Sequence, residues 1–290
     1  MLTFYYINIM LKNLKIKNKS GERLNADFRF NDNVADKMPL LIFCHGFKGF
    51  KDWGGFPYLL HELSFNNIFT VSFNFSFNGL DNSLPNPVDF TRLDLFAQNT
   101  FSRELDDLGS VIDYLFENKD AYNYDVNNLI LVGHSRGGGI AILKTAEDKR
   151  IKKLITLATV SEFNRYTDER KKRWKKDGYL EVLNTRTKQK MRMNYSLIED
   201  LENNYSRLSI PEAISKIKIP VLFIHGKEDL AVDYSDSESL YNLSNRDVSQ
   251  FKLYENTGHT FGVVHPFAGT TEALENVISD IVNFIFRNDI

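Results

Sequence analysis

Five near-continuous apolar runs dominate the chain: LLIFCH at 40–45, IFTVSFNF at 68–75, LILVGH at 129–134, LITLATV at 154–160 and VLFIH at 221–225. Strands that alternate polar and apolar residues have one wet face, whereas runs of this kind belong to strands covered on both faces, as in a parallel sheet. Parallel neighbours require crossover connections, and the intervening sequence provides them. In 100–118, Leu105, Leu108, Val111, Ile112, Leu115 and Phe116 recur at helical spacing, and near the C-terminus Leu274, Val277, Ile278, Ile281 and Ile285 do the same. Segments 11–18 and 24–30 instead alternate with period two around KSGER, which predicts a half-exposed antiparallel hairpin at the sheet edge. With the strand-like SQFKLYEN before the last helix, the count reaches eight. The expected fold class is α/β, with a mostly parallel, eight-stranded, doubly wound sheet.

One stretch breaks the alternation. Residues 161–215 separate two buried strands by far more than a usual loop, and their centre, DERKKRWKKDGYLEVLNTRTKQKMRMN, is too polar for a core. This predicts a core built from 11–160 and 216–290, with 161–215 inserted as a cap of short helices or a hairpin over the C-terminal edge of the sheet. The basic run from Arg170 to Lys176 reads as a solvated face.

At 290 residues the chain is long enough for one substantial core. A net charge of −2 gives no electrostatic footprint for nucleic acid or an anionic membrane surface. The single cysteine, Cys44, excludes an intramolecular disulfide, and no Cys/His spacing suggests zinc, so the expectation is a cytoplasmic protein without a metal. MLTFYYINIM lacks a basic leader and is too short to span a bilayer. Because Met10 is followed at once by the alternating pattern, the first nine residues are expected to be a start-site extension.

The chemistry concentrates where 129–134 runs into Gly133-His134-Ser135-Arg136-Gly137 and then the helical IAILKTAE. G-x-S-x-G between a strand and a helix is a nucleophile elbow: glycines let the backbone close on itself, the serine hydroxyl projects from the turn, and the helix N-terminus favours developing negative charge. A serine nucleophile needs a base. Among six histidines, His45 and His225 end buried strands, His134 occupies the variable elbow position and His61 lies on a helix. His259, in GHTF after the last strand, is therefore the expected base, and His265 is its competitor. Asp229, four residues beyond His225, is the expected orienting acid, with Asp233 and Glu228 as alternatives. Oxyanion donors are expected from the amides of Arg136 and of Phe47 in His45-Gly46-Phe47-Lys48-Gly49.

These elements together resemble the α/β-hydrolase superfamily, and within it the cinnamoyl (feruloyl) esterases and the dienelactone-hydrolase-like esterases. HGFKG is similar to the family's oxyanion loop, GHSRGG to its elbow, HGKED to its acid loop and GHTF to its histidine loop. Ser135 departs from the cysteine of dienelactone hydrolases proper. The resemblance implies a serine carboxylesterase that needs no cofactor and takes a small-molecule ester as partner, with Phe47, His134, Trp174 and Tyr179 bordering the acyl or aromatic pocket. A peptidase-like or thioesterase activity and a non-catalytic binding role are the alternatives, and a monomer and a homodimer are both compatible with the sequence.

Overall fold

The computed structural model describes residues 9–287. In chain order the elements are β1 (Ile9–Lys17), β2 (Arg23–Asn31), β3 (Met38–Cys44), α1 (Phe56–Phe65), β4 (Phe69–Phe73), α2 (Leu93–Ala97), α3 (Phe101–Glu117), β5 (Tyr124–His134), α4 (Arg136–Glu147) and β6 (Ile151–Leu157). The inserted segment holds α5 (Asp168–Asp177), β7 (Tyr179–Leu183), β8 (Lys190–Asn194), α6 (Ser196–Asn203), α7 (Tyr205–Leu208) and α8 (Ile210–Lys216). It is followed by β9 (Val221–Gly226), α9 (Tyr234–Leu243), β10 (Ser249–Tyr254) and α10 (Glu272–Phe286). The expected start-site extension lies, apart from Ile9, outside the described residues.

Eight strands form one sheet in the order β1-β2-β4-β3-β5-β6-β9-β10. The β1–β2 and β2–β4 pairs are antiparallel and every later pair is parallel. Alternation along each central strand divides the core in two: Leu40, Ile42, Leu129 and Leu131 pack on one face, and Leu41, Phe43, Ile130 and Val132 on the other, beneath α1 and α10. Among the described residues, no helix is long and apolar enough to cross a membrane.

The hairpin lies at the sheet edge as expected and its outer strand β1 is largely exposed, but β2 departs from the expected half-exposed form, being buried on both faces after Arg23. Its polar face is covered by the loop after β3. There the Asp27 carboxylate accepts from the Lys51 ammonium at 2.8 Å and from Arg29 at 3.0 Å, so the buried charges are paired. Alternation in sequence gave the strand correctly but not its covering, which is a long-range charge contact.

The insertion is part helical and part hairpin. β7 and β8 pair antiparallel as a separate two-stranded sheet, α5 exposes its basic side chains as expected, and α8 packs on α4, where the Ile210 side chain lies against Gly139.

Candidate active site

Ser135 sits between the end of β5 and the start of α4 with φ 57° and ψ −121°, a conformation few L-residues adopt. The strain is held from both sides. The Ser135 amide donates to the Leu157 carbonyl of β6 at 2.8 Å, and the Ser135 carbonyl accepts from the Gly138 amide at 2.9 Å. The side chain makes no capping bond to α4. Gly137 is required by close approach: a Cβ there would lie 2.4 Å from the Cys44 carbonyl oxygen and 2.5 Å from that of His45. Gly46 is needed similarly, since its Cβ would stand 3.0 Å from the Ser135 Cβ.

His259 and Asp229 come from the loops after β10 and β9, adjacent parallel strands whose C-terminal ends open on the same side. The His259 Nδ1 meets Asp229 Oδ2 at 2.7 Å. Asp229 Oδ1 accepts from the amides of Ala231 at 2.8 Å and Val232 at 3.0 Å. Burial by itself raises the carboxyl's pKa, but the hydrogen bonds from His225 and His259 outweigh it and hold Asp229 well below the usual carboxylate range. An ionised Asp229 makes Nδ1 of His259 the donor, which leaves Nε2 as the basic nitrogen. Neither Ser135 Oγ nor His259 Nε2 is hydrogen-bonded to another group among the described residues, and both residues line the same two clefts. Such contacts are commonly long without substrate and tighten when it binds.

The alternative residues make other contacts. Asp233 is the N-cap of α9, accepting from the Ser235 amide at 2.9 Å, and Glu228 accepts from the Thr257 amide at 2.9 Å. The Nδ1 of His265 accepts from the Gly54 amide at 2.9 Å, so the lone pair a base would use is occupied.

Three supporting contacts, made by His225, by His134 and by the Arg136 side chain, are not apparent from the sequence pattern. The His225 Nε2 faces two acceptors, Asp229 Oδ2 at 3.1 Å and the Val232 carbonyl at 3.0 Å, so it carries the proton, and Nδ1 accepts from the Ser237 hydroxyl at 2.7 Å. His225 thus supports the Asp229 carboxylate from behind, although as the end of an apolar run it reads as ordinary core. His134 Nε2 donates to the His259 carbonyl at 2.9 Å. Burial and the neighbouring His259 lower its pKa to about 3, so it is a neutral brace for the histidine loop that also borders one cleft. The Arg136 guanidinium stacks between the rings of Phe47 and Phe101 at 5.0 and 4.5 Å and pairs with buried Glu104 at 3.3 Å, which ties the elbow to the Gly46–Gly49 loop. The amides of Phe47 and Arg136 donate to no protein acceptor among the described residues.

The first cleft, of about 390 Å³, is lined by Phe47, Phe101, Val160, Phe163, Tyr166 and Val232 beside Ser135. The second, of about 360 Å³, lies on the His134 side beneath the β7–β8 turn. Of the expected pocket residues, Phe47 borders both and His134 the second, but Trp174 and Tyr179 border neither. The Trp174 indole is buried within the insertion with its N–H on the Met193 carbonyl at 2.9 Å. The Tyr179 ring faces outward under Arg192. Aromatic content in an inserted segment does not reveal which of its rings pack inward against the core.

Solved structures similar to this chain share its fold. Est1E from Butyrivibrio proteoclasticus, solved with ferulic acid bound, is 19% identical with a TM-score of 0.70, over 94% of this chain and 97% of Est1E. The esterase domain of a Rhodothermus marinus protein is 16% identical with a TM-score of 0.63, over 95% and 97% of the two chains. An esterase from Pyrococcus furiosus is 17% identical with a TM-score of 0.62, over 96% and 90%. No curated protein matches the sequence. The BD-FAE family model matches residues 92–243, a span that runs from α2 through the elbow and the insertion to the Asp229 loop and α9. Within the α/β-hydrolase superfamily, this chain belongs to the BD-FAE family.

Proposed function

We propose that the protein is a serine carboxylesterase that hydrolyses esters of small to medium acids, aromatic ones included, through an acyl-enzyme. The observation that carries this reading is a strained serine on a G-x-S-x-G elbow sharing its clefts with a histidine whose far nitrogen is held by a buried, ionised carboxylate. Ser135 Oγ attacks the acyl carbonyl as His259 Nε2 takes its proton, Asp229 stabilises the imidazolium, and the amides of Phe47 and Arg136 receive the oxyanion. His259 then protonates the departing alcohol, and water activated by the same nitrogen releases the acid. The apolar first cleft suits the acyl group, with Phe47, Phe101, Phe163 and Tyr166 offering ring faces to an aromatic acid. The insertion 161–215 acts as the lid, since Glu162, Phe163, Arg165 and Tyr166 wall the first cleft and the β7–β8 turn walls the second.

A peptidase holding a free N-terminal amine would need carboxylates beside Ser135. Glu162 is the one acid among the residues lining either cleft, which favours the esterase reading. The direct test is labelling with a fluorophosphonate probe together with turnover of p-nitrophenyl esters and aminoacyl p-nitroanilides. The expected result is an adduct on Ser135, ester turnover well above anilide turnover, and loss of both label and turnover in Ser135→Ala. An unlabelled, inactive but folded wild type would favour a non-catalytic member of the fold.

A further inference from the structure

The two clefts that meet at Ser135 differ in charge. The second is lined by Lys48, Arg186, His134, His259 and His265 and by no aspartate or glutamate. Most cations elsewhere near the site are neutralised: Arg136 pairs with Glu104 and Arg165 with Asp236 at 2.7 Å. Lys48 and Arg186 instead bond to main-chain carbonyls. The Lys48 ammonium donates to Leu183 at 3.1 Å, and Arg186 donates through Nη2 to Val88 at 3.1 Å while its guanidinium rests over the rings of Phe50 and Phe90 at 5.8 Å from each. A neutral carbonyl uses one donor and leaves the charge uncompensated. A third donor stands with them. Asn184 is 5% exposed, its Oδ1 accepts from the Arg186 amide, and its Nδ2 has no partner although buried, which is costly unless something outside the protein accepts from it. Asn184 and Arg186 lie in the β7–β8 turn and Lys48 in the oxyanion loop, so the donors come from two chain segments that converge over one wall of the nucleophile.

We infer that the second cleft binds a carboxylate carried by the ester, so that the preferred substrate is an anionic ester such as a half-ester of a dicarboxylic acid or an ester of a hydroxy acid. Arg186, Lys48 and Asn184 Nδ2 are the recognising groups. The inference rests on the esterase reading, and it names which esters that site selects. Both cations are partly or wholly exposed, so each contact is worth only a few-fold in kcat/KM and is weakened by salt.

The test compares esters that differ only in one charge. In an acyl-side pair, 4-nitrophenyl hydrogen adipate is set against its methyl-capped ester; in an alcohol-side pair, the butyryl ester of glycolate is set against that of methyl glycolate. At low ionic strength the expected kcat/KM ratio of anionic to capped ester is about tenfold in at least one pair, the product of two exposed ionic contacts, and the pair showing it identifies which half of the ester enters the cleft. High salt should shrink the ratio, Arg186→Gln should bring it toward one, and Arg186→Lys should keep most of it. A ratio of one or less in both pairs, or a ratio unchanged in Arg186→Gln, overturns the inference while leaving the esterase reading intact. Absence of turnover of the capped and anionic esters alike overturns the esterase reading itself.

Discussion

Four hydrogen bonds converge on one carboxylate at Asp229, two from main-chain amides and two from histidines. An amide side chain satisfies the Ala231 and Val232 N–H groups with its oxygen, but then presents N–H to His259 and forces the proton onto the wrong imidazole nitrogen. Asp229→Asn is therefore expected to keep its fold and lose on the order of 10³ to 10⁴ in kcat. Asp233→Asn exchanges one good helix cap for another and should leave kcat within about twofold. Ester kinetics on the two variants check the assignment, and the reverse ranking would move the acid to Asp233. The residues that carry the proposed chemistry were legible because elbow, acid loop and histidine loop each follow a recognisable strand in a fixed order. Their supports were not. Nothing local to His225 or Glu104 distinguishes a buried partner of a site residue from a buried polar residue anywhere else, because the distinction lies in contacts made across the chain.

At the scale of elements, the insertion is held together by a side chain that its composition hides. α5 is charged along nearly its whole length, yet Trp174 within it is 1% exposed, packs edge-on to Tyr166 with ring centres 5.1 Å apart, and ties the helix to β8 through its indole N–H. Trp174→Ala should cost about 3 to 5 kcal/mol, and because its ring and N–H contacts with Tyr166, Tyr195 and the Met193 carbonyl all lie within 161–215, the insertion should open before the sheet does. Limited proteolysis is expected to cut the variant faster within 161–215 while the remaining core persists, and bulky aromatic esters should lose more turnover than p-nitrophenyl acetate. Cleavage spread evenly over the chain would overturn the proposal that the insertion is a separable lid. The central strands were legible since burial on both faces leaves no place for polar residues. The hairpin of the insertion was not separable from short helices, because exposed polar segments carry little periodicity, and the reach of its turn into the second cleft depends on docking bonds to Val88 and Phe90 that lie about a hundred residues away.

At the scale of the whole molecule, stability responds to pH through two buried groups that meet at one crossing and are shifted in opposite directions. The backbone just after β4 is held on one side by His45, whose Nε2 accepts from the Phe75 amide at 3.3 Å, and on the other by Asp107 of α3, which accepts from the Ser76 amide at 2.7 Å, the Ser76 hydroxyl at 2.8 Å and Asn18 at 2.7 Å. Burial lowers the His45 pKa from 6.5 to about 4 and raises that of Asp107 from 3.8 to about 6. Between pH 6.5 and 4 the unfolded chain binds a proton at His45 that the native state refuses, so this histidine's contribution to stability is present at neutral pH and lost on acidification. Asp107 behaves oppositely: below about pH 6 the native state holds a proton that the unfolded chain releases, so acidification relieves the burial of its charge. Each shift corresponds to about 3 kcal/mol at about 1.4 kcal/mol per pK unit. Urea unfolding from pH 7 to pH 4 should therefore show the stability of Asp107→Asn, taken relative to wild type, falling as the pH falls, and that of His45→Gln rising. The difference profiles cancel every titration common to wild type and variant. If Asp107→Asn runs parallel to wild type, the carboxyl titrates alike in the folded and unfolded chains and its cage of three donors offsets its burial; if His45→Gln does so, the imidazole is not kept neutral by the fold.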